Sequence, residues 1–338
     1  MRNDISADVV IGLQAGDESK GKITNTLLKT GKYTHCIRWA GGHNAGHTIY
    51  KDGKKLVTHV VPTGVVQGVR SIIGPGCVVN IDLLTAEIEE LKQQGIDVRG
   101  KLFVDKRAHI ITDKHLEEDR QDTAIGTTKR GNGPAYRDKY NRAGIRFEDM
   151  QRHRDIDTTD IYNEIHNSSK PVNILFEGAQ GFGLDIDWGD YPYVTSSTCN
   201  IGGAVSAGVP PQSIKRVFGV AKAYQTYVGT KKFQPQGQIF NTIREAGSEY
   251  GATTGRPRQV NYFDFDAIVM AINVNGVTDL IISKTDILQQ VNEWKLYKDG
   301  KVIDLRYEDK FIDYIKTNIL KTCSSVEDIT FSYSPSDI

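Results

Sequence analysis

The sequence predicts an α/β protein with a central, mostly parallel sheet flanked by helices. Short apolar runs rich in β-branched residues are typical of buried parallel strands, and they occur at residues 9–13, 36–39, 172–176, 217–221 and 280–283. Amphipathic helical patterns lie between these runs, most clearly at 82–93 and 311–320. Strands that alternate with helices favour a parallel sheet covered on its faces. No clear boundary divides the chain, so residues 1–338 are interpreted as a single domain.

The amino-acid composition argues against several classes of protein. Lys plus Arg and Asp plus Glu are both 42, and a chain without net charge is a poor candidate for a nucleic-acid partner. No C-x-x-C pair is present, which disfavours structural zinc and favours reduced thiols. The N-terminal sequence does not resemble a signal peptide, and no apolar run approaches the ~18 residues of a membrane helix. These features predict a cytoplasmic protein, in the host cytoplasm if the source is viral, with no membrane partner.

The first predicted strand runs into a glycine-rich loop at residues 14–22, QAGDESKGK, followed by a helical pattern. Backbone N–H groups and the helix dipole make such a turn an anion site. Gly16 to Lys22 fits G-x-x-x-x-G-K, but Ile23 replaces the usual Ser or Thr. Asp17 and Glu18 would repel phosphate unless Mg²⁺ or a proton transfer requires them. An ordinary strand-to-helix turn is the alternative interpretation.

A second loop, GGHNAGHT at residues 41–48, follows another predicted strand. A lone histidine is usually structural, but His47 is predicted at the carboxyl edge of the sheet, where α/β enzymes place ligands. A donor there would stabilise charge on a transferring phosphoryl group. Next, Asp52-Gly53 predicts a hairpin, and the polar, glycine-rich stretch 107–154 is interpreted as functional loops and helices.

The two loops resemble those of adenylosuccinate synthetases, whose pattern is close to QWGDEGKGK followed by GGHNAGHT. Further blocks match the family in order: AIGTTKRG at 124–131, FEGAQG at 176–181, YPYVTSS at 191–197 and GATTGRPR at 251–258. Several blocks in order are more specific than one loop. The resemblance implies the family's fold, which is related to the P-loop NTPases. It also implies an enzyme, a C–N ligase of purine biosynthesis.

In the family, a nucleoside triphosphate phosphorylates the 6-oxo group of a purine nucleotide, and L-aspartate then displaces phosphate. The resemblance makes Asp17 the base for the N1 proton, His47 the acid in phosphoryl transfer and Gln180 a catalytic residue. It implies Mg²⁺ bound by Asp17 and the carbonyl of Gly46. It also implies a homodimer, because Arg142 falls where the family supplies an Arg across its interface.

Binding residues are carried over in the same way. The phosphate and triphosphate site would include Gly16, Glu18, Ser19, Lys20, Gly21, Lys22, Gly46, His47, Thr48, Lys284, Asp286, Ser332 and Ser334. The acceptor nucleotide would contact Asp17, Asn44, Ala45, Thr127, Thr128, Arg142, Gln180, Thr195 and Val228. L-aspartate would bind Thr253, Thr254, Arg256 and Arg258. Two guanidinium groups suit a dicarboxylate, although a solvated basic loop is the alternative for them.

The base of the triphosphate can be predicted separately. Lys284-Thr285-Asp286 follows a predicted strand, and one carboxylate can accept from both N1–H and the 2-amino group of guanine. The family's equivalent Lys and Asp bind GTP. The tail at 332–335 reads SYSP instead of the family's STGP. GTP is therefore favoured, with ATP as the alternative.

The chain departs from the family around the predicted nucleotide and aspartate sites. Ala15 replaces Trp, Ser19 and Lys129 replace Gly, Tyr227 replaces Arg, and residues 230–236 differ from GPFPTE. The chain is also short, as in a phage branch that joins aspartate to dGMP to give N6-succino-2-amino-2′-deoxyadenylate. The departures favour dGMP, for which the Ser19 hydroxyl could meet the 2-amino group. IMP is the alternative, because Asp17 is retained where some of that branch have Ser.

Two alternatives from other classes remain. A GTP-binding switch would use the phosphate loop and residues 284–286, but it would not need His47 or the pair Arg256 and Arg258. A catalytically inactive paralogue is disfavoured, because Asp17 and Lys20 are also present.

Overall fold

The computed structural model describes residues 4–51, 53–123, 125–150, 156–251 and 255–334. Its strands are, in chain order, β1 (Ile5–Gly12), β2 (His35–Arg38), β3 (His47–Lys51), β4 (Lys54–Thr58), β5 (Arg70–Ile73), β6 (Val78–Val79), β7 (Leu102–Asp105), β8 (His109–Ile110), β9 (Thr158–Thr159), β10 (Val172–Glu177), β11 (Ile214–Lys222), β12 (Tyr224–Tyr227), β13 (Gln259–Asp264), β14 (Asp279–Ser283), β15 (Lys295–Lys298), β16 (Lys301–Asp304) and β17 (Asp328–Phe331). Its α-helices are α1 (Lys20–Leu28), α2 (Ile81–Gln93), α3 (Asp113–Gln121), α4 (Asn132–Tyr140), α5 (Ile161–His166), α6 (Gly202–Ser206), α7 (Gln238–Ala246), α8 (Phe265–Asn275), α9 (Thr285–Val291) and α10 (Glu308–Thr322).

The central sheet has the strand order β17-β14-β11-β1-β10-β2-β5-β7-β9. Every neighbouring pair in it is parallel. The predicted fold class is therefore confirmed. The five predicted strands and two predicted helices are all present, with ends that differ by at most a few residues.

Burial on both faces explains why the strands read as continuous apolar runs. In β1, Val9 and Ile11 pack in one hydrophobic cluster, whereas Val10 between them packs in another on the opposite face. All three are at most 1% exposed. Alternate residues of a strand point to opposite faces, so a sheet covered on both sides needs apolar residues throughout.

The carboxyl ends of the adjacent strands β14, β11, β1, β10 and β2 meet at one edge of the sheet. The glycine-rich loop leaves β1, the second loop leaves β2, and Lys284 follows β14. In an open parallel sheet this edge is where ligands bind. The topology thus brings together segments that are distant in the sequence.

The predicted hairpin is also present. Strands β3 and β4 pair as an antiparallel hairpin, although Asp52 in its turn lies outside the described residues. Within the described ranges, no helix is both long and apolar enough to cross a membrane. The four cysteines are buried and free: Cys36, Cys77, Cys199 and Cys323.

Candidate active site

A cleft of 970 Å³ lies at the carboxyl edge of the sheet. Most of the predicted site residues line it: Gly16, Asp17, Ser19, Lys20, Gly21, Lys22, Asn44, Ala45, Gly46, His47, Thr48, Thr127, Thr128, Gln180, Thr195, Val228, Arg256, Arg258, Lys284, Asp286 and Ser334. Glu18, Arg142 and Ser332 are not on its surface. Thr253 and Thr254, predicted for aspartate, and Ala124 lie outside the described residues.

The glycine-rich loop is held from beneath by Glu18. This side chain is buried, and its Oε1 accepts hydrogen bonds from the backbone N–H of Gln14 (3.1 Å) and Gly16 (2.8 Å). Its Oε2 pairs with Lys20 Nζ at 2.5 Å. A buried carboxylate needs such partners. The structure therefore places Glu18 under the loop, while α1 begins at Lys20 and directs its N-terminus at the cleft.

The chain's tail meets the same loop. Lys22 Nζ donates to Ser332 Oγ (2.5 Å) and to the carbonyl of Ser334 (2.6 Å). Lys284 is the N-cap residue of α9, and its Nζ donates to the carbonyl of Gly247 at 2.8 Å. The elements predicted for the triphosphate and its base are thus neighbours at one end of the cleft.

His47 is fixed by a buried polar network behind the cleft. Its Nδ1 lies against Glu177 Oε1, and Arg38 Nη2 contacts that same oxygen at 3.1 Å. Thr63 donates to the two carboxylate oxygens from its N–H and its hydroxyl, both at 2.7 Å. Because the carboxylate accepts from Nδ1–H, Nε2 is the ring nitrogen left for a ligand.

The charges of this network are set by burial and by Arg38. Burial and then the nearby Arg38 guanidinium lower the pKa of His47 to about 4. Burial opposes ionisation of Glu177, but Arg38 and His47 hold the pKa of that carboxyl well below its usual range. At neutral pH the site therefore contains a neutral imidazole oriented by an ionised carboxylate.

A second network connects Asp17 to the predicted aspartate loop. Arg258 Nη2 pairs with Asp17 Oδ2 at 2.7 Å, and Arg258 Nη1 pairs with the buried Glu249. Lys222, also buried, lies 3.3 Å from Glu249. Burial opposes ionisation of Glu249, but Lys222, Lys284 and Arg258 lower its pKa to about 2. Glu249 therefore holds Arg258, which in turn contacts the carboxylate of Asp17.

Arg256 and Arg258 have different partners, so they do not form a matched pair of guanidinium groups. Arg256 Nη2 donates to the carbonyls of Gly126 (3.1 Å) and Thr127 (3.4 Å) in the next loop. That loop is braced by Asp119, which accepts from the Thr127 hydroxyl at 2.7 Å. The predicted aspartate loop and acceptor loop thus contact each other across the cleft.

Side-chain amides form another wall of the cleft. Asn44 Oδ1 accepts from Gln180 Nε2 (3.0 Å) and from the N–H of Gly42 (3.2 Å). These bonds leave the Asn44 amino group as a donor for a ligand. Gln180 has a left-handed φ of 56°, which is uncommon outside glycine and is typical of functional sites.

The departures at 227–236 also reach the cleft. Tyr227 is buried in its wall, packed against Phe233 with ring centroids 5.7 Å apart. Lys231 Nζ lies 5.1 Å from the Tyr227 ring and pairs with Asp190 at 2.7 Å. A cation over an aromatic face is stabilising. Tyr227, for which the sequence offers no role, thus forms part of the wall beside Val228, and Lys231 packs against its ring.

Several residues that position the predicted ones were not predicted from the sequence. Glu177 stands inside the FEGAQG block, and its place at the end of a buried strand was an available signal. Glu249 lies just before the GATTGRPR block, and Asp119 lies in the charged stretch 107–154. Buried carboxylates act through partners far away in the chain, which a single sequence does not reveal.

Stability is expected to fall as the pH is lowered from about 6.5 towards 4. Burial is the main factor that lowers the pKa of His43 to about 3, and it also lowers those of His35, His47 and His109. In this window the unfolded chain binds protons that the folded chain does not. Each group then contributes up to about 1.4 kcal/mol per pH unit.

Urea unfolding at pH 7, 6 and 5 measures this slope. Glu87 has the opposite effect on this slope: burial raises its pKa, so its contribution to stability increases as the pH falls. The four histidines together outweigh this single group. The His43→Gln variant should show a shallower slope than the wild type. A free energy of unfolding that is constant over this range would contradict the assignment of neutral histidines.

The fold and the cleft together define a nucleotide-dependent ligase that forms a carbon–nitrogen bond. A family model described as adenylosuccinate synthetase matches residues 9–164 and 153–328. The chain belongs to the adenylosuccinate synthetase family.

Relatives and solved structures agree with this assignment. The chain is 40% identical to the adenylosuccinate synthetase of Xylella fastidiosa, over 90% of this chain and 82% of the relative. It is 38% identical to that of Helicobacter hepaticus, over 92% and 85%. The fully ligated adenylosuccinate synthetase of Plasmodium falciparum superposes with a TM-score of 0.80 at 27% identity, over 98% of both chains. The fold is also that of the cyanophage S-2L succinoaminodeoxyadenylate synthetase bound to dGMP and dATP, with a TM-score of 0.77 at 21% identity over 98% and 94%.

Proposed function

We propose that the protein joins L-aspartate to C6 of IMP, with GTP as the phosphoryl donor, and releases adenylosuccinate, GDP and phosphate. The observation that carries the choice of acceptor is the contact between Arg258 and Asp17. It occupies one oxygen of the Asp17 carboxylate and leaves the other for a purine. IMP presents a single donor there, N1–H, whereas dGMP presents N1–H and a 2-amino group side by side. The relatives near 40% identity, which are named adenylosuccinate synthetases, support the same acceptor.

The placement of the side chains supports the following reaction. Asp17 takes the N1 proton, so that the 6-oxygen can attack the γ-phosphoryl group. The negative charges of the triphosphate raise the pKa of His47, which then donates from Nε2 to the transferring group while Glu177 holds Nδ1. The bond between the β- and γ-phosphates breaks in this transfer, and GDP leaves. The neutral amine of aspartate then forms the bond to C6, phosphate leaves with the former 6-oxygen, and the new C–N nitrogen loses one proton to solvent.

Magnesium fits the hard oxygen donors of the cleft. The Asp17 carboxylate and Gly46 both line it. Among the described residues, no cluster of three His, Cys, Asp or Glu side chains could hold a metal alone. Mg²⁺ usually takes one or two carboxylates and completes its shell with water and substrate phosphates, so Asp17 and the Gly46 carbonyl would suffice. When bound, the ion would neutralise charge on the phosphates.

The choice of GTP rests on Asp286, which lies in the first turn of α9 on the cleft surface. Its carboxylate suits the two donors of a guanine edge.

A homodimer is proposed from Arg142. This exposed residue follows the C-terminal end of α4, whereas the acceptor loop precedes the N-terminal end of the same helix. A nine-residue helix is about 13 Å long, so Arg142 would serve an acceptor in a second subunit. Sedimentation at assay concentration measures the subunit number.

The second candidate acceptor is dGMP, which the sequence departures favour. Thr230, in the departing segment, packs so closely on Gly126 that a Cβ there would lie 3.1 Å from its methyl group. The segment 230–236, which differs from the family, therefore contacts the acceptor loop. If dGMP is used, the 2-amino group requires an acceptor besides Asp17.

A substrate panel decides among these possibilities. IMP, dIMP, GMP and dGMP are each assayed for phosphate release with GTP, ATP or dATP, with and without L-aspartate. We expect IMP with GTP to give the highest kcat/KM, and release to require aspartate. A preference for dGMP would replace the proposed acceptor, and release without aspartate would support a GTP-binding switch.

A further inference from the structure

Asn132 is a buried polar residue that the proposed reaction does not yet use. It is the first residue of α4 and is 6% exposed, and it lines the cleft. Neither its side-chain nitrogen nor its oxygen has a hydrogen-bond partner among the described residues. Burial of an amide without partners is costly, so an unpartnered amide on a cleft wall points to a ligand.

Its surroundings belong to the acceptor end of the cleft. A Cβ placed on Gly42 would lie 3.1 Å from both amide atoms of Asn132, so the amide rests on the backbone of the second loop. On the other side of this loop, a Cβ on Gly41 would lie 2.9 Å from Gln180 Oε1, which is also buried without a partner. The two amides therefore flank Gly41 and Gly42, next to Asn44.

The backbone around Asn132 favours an anion. Gly131 precedes α4 in a left-handed conformation (φ 77°), and no side chain caps the helix. The N–H of Gly131 donates to Asp119 Oδ2 at 2.7 Å, which fixes the start of the helix beside Thr127 and Thr128. The first turn of a helix directs unpaired N–H groups and the positive end of its dipole outward. Asn132 adds a side-chain amino donor at this point.

We propose that Asn132 is a specificity-determining residue that donates a hydrogen bond from its side-chain amide to the 5′-phosphate of the acceptor nucleotide, at the N-terminus of α4. This inference rests on the proposed function and adds a residue to its acceptor site. Both amide atoms lie against the backbone of Gly42 and out of contact with solvent, so the side chain turns its amino group towards the cleft when the phosphate binds. The Asn132 amide lacks a hydrogen-bond partner in the free protein and gains one when the nucleotide binds. The contact therefore strengthens binding of the nucleotide relative to the nucleoside.

The test compares Asn132→Leu, which has a similar volume without polar atoms, with Asn132→Asp, which keeps the shape and adds a negative charge. Equilibrium Kd values are measured for IMP, dGMP and inosine, and KM values for the acceptor, aspartate and GTP. We expect Asn132→Leu to weaken IMP binding about tenfold or more. Asn132→Asp should weaken it further because its carboxylate repels the phosphate. Inosine binding and the KM values for aspartate and GTP should change less than twofold.

Asn275→Leu is the matched control for a buried asparagine. Asn275 is 2% exposed, but its amide donates to the carbonyl of Ala271 (2.8 Å) and accepts from the N–H of Ile201 (2.9 Å). Its replacement should lower the melting temperature without a change in the ratio of IMP to inosine affinity. Asn132→Leu should not melt below the wild type, because it removes an amide that has no partner.

The outcomes separate this proposal from the proposed function. Unchanged IMP binding in folded Asn132→Leu and Asn132→Asp would overturn the role of Asn132 alone. An equal loss for inosine and IMP would also overturn it, because the contact would then not be to phosphate. A wild-type protein that binds neither IMP nor dGMP would overturn the proposed function and this inference together.

Discussion

The Asp17→Asn variant is expected to lose about a thousandfold or more in kcat while it still binds the acceptor nucleotide. The substitution keeps the shape of the side chain but removes the carboxylate proposed to take the N1 proton. A positioned general base contributes about 10²–10⁴-fold, and Asp17 would also lose its part in holding Mg²⁺. Steady-state turnover and equilibrium binding of IMP, measured together, separate the two effects.

Glu249→Gln supplies the comparison for this loss. Glu249 touches Arg258 but lies behind it, so it positions Asp17 only through the guanidinium. Its substitution should raise the KM for aspartate more than it lowers kcat, because Arg258 loses its charged anchor. A turnover of Asp17→Asn within tenfold of the wild type would exclude Asp17 as the base.

The strands of the sheet were predictable because burial on both faces leaves a continuous apolar run within each short segment of the sequence. Strands buried on both faces must be apolar at every position, as Val9, Val10 and Ile11 show. The pattern does not contain strand order, because β10 inserts between β1 and β2 although it comes much later in the chain. Short edge strands such as β9 bury little apolar area and leave no periodic signal.

The candidate site was predictable where one loop carries its own signature, as with Asp17 and His47. The partners that orient these residues were not, since Glu177 is 130 positions from His47 and contacts it only when β2 and β10 pair. Glu18 shows that a residue inside a motif need not face the ligand. It stands within the glycine-rich motif, yet its side chain turns inward to bind the loop's own N–H groups. A motif locates a site, but burial decides which of its side chains face the ligand.

Replacement of His47 by alanine is expected to lower kcat about a hundredfold or more and to leave nucleotide binding measurable. The imidazole is held by Glu177 through Nδ1, so Nε2 is the nitrogen left to donate to the phosphoryl group in the proposed reaction. Alanine removes this donor but leaves the phosphate loop and the helix N-terminus of α1 intact. GTP affinity should therefore change little while the chemical step slows.

His43→Ala is the matched control, because His43 is buried in the same loop but does not line the cleft. It should retain most of the turnover, apart from any loss of stability. Near-normal turnover of His47→Ala would remove His47 from the mechanism, and an equal loss in both variants would assign the effect to the fold of the loop. A larger kcat loss at His47 at unchanged GTP affinity is the result that a proton donor requires, since its hydrogen bond strengthens only as the phosphoryl group transfers.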